Sequence, residues 1–336
     1  MAEHSIAAYK ITVHRRQKKD PLKFDDFDGS GSDLLKVFNG YLKSLQEDGF
    51  DNPDNKQVIK SSELSHNNRH IQATLGLGEY GVKSVFEERG SGAPRFNREQ
   101  SDVEILRYRN LLIIPKEREV GLLLTERVHN RGVFSMFVTG LRRAFRKRFP
   151  EYVLDVNNLS PEAAVSRVLN SGQVKKIRLV RNSVPRDIAD RYELGQHETE
   201  LGTMETVISS PRRGSLSKKL IEKVVHGETQ VSRLLEWQGV EYSDLRVEVR
   251  SGRTTRTVSV ASGRTPVVTF DIEEDLLDAE GALSDEVFYQ EAIKVALDLS
   301  EDISLTRSSV AEQQFTWPEN WNDYRLEVPP SEDAEP

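Results

Sequence analysis

Apolar positions along the chain follow two periods, and the changes of period mark out the elements. Phe134, Phe137, Val138, Leu141, Phe145 and Phe149 recur at spacings of three and four, the stripe of a helix docked on a core. Pro150 stops that helix, because it lacks an N–H and disfavours helical geometry in the residue before it. The same period predicts a helix from Leu34 to Gln46, with Leu34, Leu35, Phe38, Leu42 and Leu45 on one face and Ser32 or Asp33 as its cap. A third amphipathic helix spans Asp285 to Leu299. Ser160-Pro161 opens a fourth, running to Leu169, and Leu216 to Val225 reads as a fifth.

Between the helices lie short runs of strand character. They are Ala7–Arg15, Gln57–Leu64, His70–Leu77, Val103–Ile114, Val120–Val128, Tyr152–Val156, Val174–Val180 and Thr203–Ser209. Leu245–Val249, Thr255–Val260 and Val267–Ile272, joined by Ser-Gly-Arg turns, predict an antiparallel meander. Strands that follow one another without an intervening helix argue for an α+β fold of mainly antiparallel sheets, with helices packed on one face. The polar stretch from Asn182 to Gly202 divides it into two expected domains, 1–185 and 186–336. Phe315 to Pro330 brings Trp317, Trp321 and Tyr324 together near prolines, the pattern of an arm docked by its aromatic rings.

Composition narrows the classes of function. The 336 residues contain no cysteine, which removes disulfides, thiol nucleophiles and cysteine zinc sites. The N-terminus has no apolar core of signal-peptide length, and no apolar run approaches the ~20 residues of a membrane span. A cytoplasmic protein is expected. Its net charge is −7, but residues 267–336 carry nineteen acidic and three basic side chains, or −16, which leaves +9 on the rest. A basic body with an acidic appendage is an argument about partners.

The basic charge is concentrated on the Phe134–Phe149 helix. Arg142, Arg143, Arg146, Lys147 and Arg148 fill most of its polar positions, more than the helix dipole alone needs. Lys175, Lys176 and Arg178 form a second cluster on a predicted strand. Cations held on rigid elements suit phosphates, each of which releases counterions when neutralised. The candidate nucleic-acid-binding residues are therefore Arg142, Arg143, Arg146, Lys147, Lys175, Lys176 and Arg178. DNA is the first expected partner. An adaptor that docks a protein partner or a second copy through the same surface is the alternative. The acidic C-terminal stretch is expected to lie over this surface without ligand, so that removing 310–336 tightens DNA binding. The Pro211–Ser215 turn, with Arg212 and Arg213, is a further basic loop.

Catalytic chemistry is sparse. There is no GxxxxGK[ST], HExxH or GxSxG pattern. Gly76 to Gly81 matches GxGxxG, but no helix opens directly after it, and a hairpin turn or a bulge fits better. His66 and His70 fall in a turn with no third ligand, which favours an exposed pair. His197, Glu198 and Glu200 fit a solvated loop. Asp244, Glu248 and Arg250, or Asp102 and Glu104, would be the start of a metal-dependent nuclease site, the third reading, but neither set is complete. No catalytic residue, metal or cofactor is assigned.

Gly78-Glu79-Tyr80-Gly81, the hairpin Leu111 to Val133 and the arginine-rich helix together resemble a set of uncharacterised bacterial proteins of antiphage defence and mobile islands. The resemblance covers residues 70–180 and carries no catalytic signature. It implies a role in defence, as a DNA-sensing or effector subunit or a member of a defence complex.

Overall fold

The computed structural model describes residues 4–129, 131–159, 169, 172–181, 204–211, 214–219, 221, 244–251, 254–261, 268–300, 305, 310 and 315–329. Fourteen strands are described: β1 His4–Arg15, β2 Phe50–Asn52, β3 Gln57–Asn67, β4 His70–Glu79, β5 Ser84–Glu87, β6 Pro94–Arg98, β7 Glu104–Ile113, β8 Gly121–Val128, β9 Tyr152–Asn158, β10 Gln173–Arg181, β11 Met204–Ser209, β12 Asp244–Ser251, β13 Thr254–Ala261 and β14 Val268–Asp271. The longer helices are α1 Leu34–Glu47, α2 Phe134–Arg148 and α3 Asp285–Leu299. The fold is α+β, and every strand pair in it is antiparallel.

Twelve strands form one sheet in the order β11-β10-β12-β13-β14-β1-β8-β7-β4-β3-β2, with β9 also on β1. β1 is the hub because it is long enough to hold three partners. β8 pairs with His4–Ile11 along one side. The other side is shared, with β14 on Ser5–Ala7 and β9 on Tyr9–Arg15. Strands from before and after the expected boundary at 185/186 thus join one sheet. The boundary itself lies outside the described residues, as do most of the helices expected at 160–169 and 216–225.

β1 and the strands beside it are apolar on both faces, because both faces are covered. Ala7, Tyr9, Ile11 and Val13 of β1, with Leu123, Leu112 and Leu154, belong to a core filled by α1 and α2. Ile6 and Ala8, with Leu111, Leu122, Leu124 and Phe270, belong to a second core closed by Phe288, Ala292, Val295 and Leu299 of α3. Helices therefore stand on both faces of the sheet rather than on one. No helix among the described residues is long and apolar enough to cross a membrane.

The C-terminal arm is part of the first core. Phe315, Trp317, Trp321 and Tyr324 pack against it and Leu326 is buried in it. Asn39 of α1 donates to the Trp321 carbonyl, Lys43 to the Asn322 carbonyl, and Arg325 bonds Glu47. The described part of the arm is therefore anchored on α1, and α3 stands on the opposite face of the sheet from α2. Truncating 310–336 strips aromatic packing, so the expected result is a lower unfolding midpoint rather than tighter DNA binding.

His66 gives the arm a pH dependence. It is half-buried, its ring lies 4.0 Å from that of Trp317, and its Nε2 donates to the Asn39 Oδ1 at 2.8 Å. His70 is buried beside it on β4, so the two histidines are not an exposed pair. Burial, and then the Lys43 ammonium, hold the His66 imidazole below its ordinary range. The unfolded chain therefore takes up this proton first. The stability involved is complete above the ordinary histidine value of about 6.5 and is lost as pH falls through the folded value. Tryptophan emission should redden on acidification in the wild type, and less in His66→Gln.

Candidate nucleic-acid interface

α2 is fixed by its apolar stripe. Phe137, Val138, Leu141 and Phe145 are buried, and Phe134 stacks on Tyr9 with ring centroids 3.6 Å apart. Phe145 and Phe149 meet Phe27, at 5.8 and 5.0 Å. Gly140 lets α1 come close, so that the buried Tyr41 hydroxyl donates to the Phe137 carbonyl at 3.0 Å. A Cβ at Gly140 would overlap that hydroxyl and meet the Phe50 ring at 2.9 Å. Gly140→Ala should therefore cost about 1–3 kcal/mol through overpacking, despite the better helix propensity of alanine. A urea titration reads the change.

With the core side pinned, the cations take up the solvent side. At about 100° per residue, Arg142, Arg146, Arg143 and Lys147 fall within one arc of ~140°. Arg148 points elsewhere. Its guanidinium lies 5.1 Å from the Phe149 ring and it bonds the Tyr324 hydroxyl. Arg142 donates to the Val156 carbonyl at 3.0 Å and contacts Asn157, with no carboxylate partner among the described residues. Among the described residues, the side chains of Arg143, Arg146 and Lys147 take part in no hydrogen bond or ion pair. Lys147 and Arg146 are exposed and Arg143 is half-exposed.

A groove of about 370 Å³ runs beside this face, lined by Arg16, Arg142, Arg146, Phe145, Tyr152 and Asp155, among others. Arg16 arrives there because β1 pairs with β9. Arg15 lies opposite Tyr152 in the register, and the Arg16 N–H donates to the Glu151 carbonyl at 2.8 Å. The exposed Lys18 and Lys19 follow in the next turn. Among the described residues that line the groove Asp155 is the one carboxylate, and His14 Nε2 meets it at 3.1 Å. The Arg15 carbonyl and Asp155 raise the His14 pKa, so a cation partners that carboxylate over a wider pH range. Sequence reasoning missed Arg16. The visible signal was the run Arg15-Arg16-Gln17-Lys18-Lys19, which only the β1–β9 pairing brings to α2.

No protein-family model matches the chain, and no curated protein sequence does.

The second predicted cluster lies elsewhere. In the sheet, β10 is separated from β1 by β12, β13 and β14, so its cations stand apart from those of α2. Lys176 pairs with Glu248 at 3.1 Å. Lys175 donates to the Gly214 carbonyl at 2.7 Å and to Gln173. Arg178 faces Arg246 and Val207 across the ladder. Arg212 and Arg213 of the basic turn, and His197, Glu198 and Glu200, are outside the described residues.

The remaining motifs have structural uses. Gly76 and Gly78 lie inside β4, not at a hairpin turn or a bulge. A Cβ at Gly76 would meet Ile105 Cγ2 at 2.7 Å, and one at Gly78 would overlap Val103. Glu104 pairs with Arg98 at 2.9 Å, and Asp102 accepts the Glu99 N–H of its own turn. With Glu248 held by Lys176, these carboxylates are engaged within the chain. Among the described residues no group of three or more histidines and carboxylates is placed to hold a metal.

Proposed function

We propose that the chain binds nucleic acid, with DNA first, through the exposed face of α2 and the groove beside it. The observation that carries this reading is the absence, among the described residues, of side-chain partners for Arg143, Arg146 and Lys147 on a helix whose other side is locked in the core. The packed helix fixes where these side chains start, and the groove adds Arg16 and Arg142 to the same surface. Contacts of this kind set affinity and register on the backbone without reading bases, so binding should be largely independent of sequence. The role in antiphage defence belongs to the proposal through the resemblance of residues 70–180 alone. The test is fluorescence anisotropy on labelled duplex DNA and RNA as salt is raised. Binding that weakens steeply from about 50 to 200 mM salt is expected. No binding to either polymer at the lowest salt would end the proposal.

A further inference from the structure

β3 has a free edge. It runs Gln57–Asn67, but β2 covers only Gln57–Ile59. Beyond that, no described strand pairs with its outer side. A β-bulge interrupts the ladder between Ser61 and Glu63, and Glu63–Asn67, a run of roughly 17 Å, has no described strand on its outer side. A cleft of about 1020 Å³ opens along the first part of this run, lined on β3 by Ser62–Ser65. Its walls come from both sides of the strand. Leu64 packs toward the α1 core, while Glu63 and Ser65 bond Thr74 and Gln72 of β4. Gln46 at the end of α1 closes one side, and Tyr289 and Ile293 of α3 the other.

The cleft is negative. Glu63, Asp285 and Glu286 face it, whereas its one ammonium, Lys294, is held by Glu291. Asp285 shares Arg109 with the buried Glu126, so that guanidinium is already matched. Free edges are normally guarded against stray strands, and Glu63 acts as such a guard. For a basic strand the same charge becomes a selective contact.

We infer that this cleft receives an extended peptide segment of a partner protein, which adds to β3 as a strand. Its main chain pairs with Glu63–Asn67, and alternate lysine or arginine side chains meet Glu63 and Glu286. Aliphatic side chains between them point to the opposite face and rest on Leu64. The surface is distinct from the basic face of α2.

The probe is a labelled peptide of alternating lysine and valine, about nine residues long, so that it spans the open run. It is compared with its glutamate–valine counterpart and with a lysine–valine peptide N-methylated at alternate bonds. The full chain should bind the first and slow amide exchange at 63–67. Affinity should fall by about tenfold or more in Glu63→Lys/Glu286→Lys, two exposed positions that leave the core intact. It should fall likewise for the N-methylated peptide, whose charge is unchanged. Equal binding of the N-methylated peptide, equal binding by the variant, or no binding at all would overturn the inference. So would a dimer of the free chain that the variant abolishes, because a second copy would then occupy the edge.

Discussion

Replacing Asp33 by alanine should destabilise the fold by about 3–5 kcal/mol, the usual result of leaving one member of a buried ion pair without its partner. Arg69 is 2% exposed and Asp33 7%. Their contact is bidentate, at 2.8 and 2.9 Å. The Arg69 Nε also donates to the Ile114 carbonyl at 2.7 Å, and its guanidinium lies 5.0 Å from the Phe315 ring. Asp33 is at once the cap of α1, accepting the Leu35 N–H at 2.8 Å. One carboxylate thus holds α1, the β3–β4 turn and the C-terminal arm together. Asp33→Asn keeps the cap but not the charge and should fall between wild type and alanine. Replacing both partners by apolar residues should cost less than Asp33→Ala alone. Urea midpoints would show the order; an alanine variant within about 1 kcal/mol of wild type would mean that the pair is not closed to water.

The second large effect concerns binding. Arg16→Ala/Arg143→Ala/Arg146→Ala/Lys147→Ala should lower DNA affinity by about two to three orders of magnitude near 100 mM salt. The side chains removed carry no internal ion pair or side-chain hydrogen bond among the described residues, so the unfolding midpoint should barely move. Arg148→Ala and Lys176→Ala are the controls. Arg148 turns toward Tyr324 and Lys176 is neutralised by Glu248, so each should leave affinity within about threefold.

The helices were the most legible part of the chain. α2 and α3 begin where their stripes predicted, and α1 runs one residue past its expected end, because each has one apolar face and a clear start or stop signal. The β7–β8 hairpin and the β12–β14 meander were also readable, since turn residues separate alternating runs. The β5–β6 hairpin was not. With Phe86 43% and Phe96 54% exposed, it has no buried face to impose a period. Nor does local pattern show that β14 and β9 share one side of β1, because such pairings depend on partners distant in the chain. The site followed the same rule. The cationic face of α2 was visible in the spacing of its arginines, while the approach of Arg16 and the distance of β10 were set by sheet order.

The most direct test of the central claim is the slope of log K against log salt for duplex DNA, wild type against the Arg16/Arg143/Arg146/Lys147 alanine variant. If these four side chains meet phosphates, the slope should shrink by about 3–4, close to 0.9 for each lost contact. Parallel lines for the two proteins, with folding intact by circular dichroism, would contradict the account.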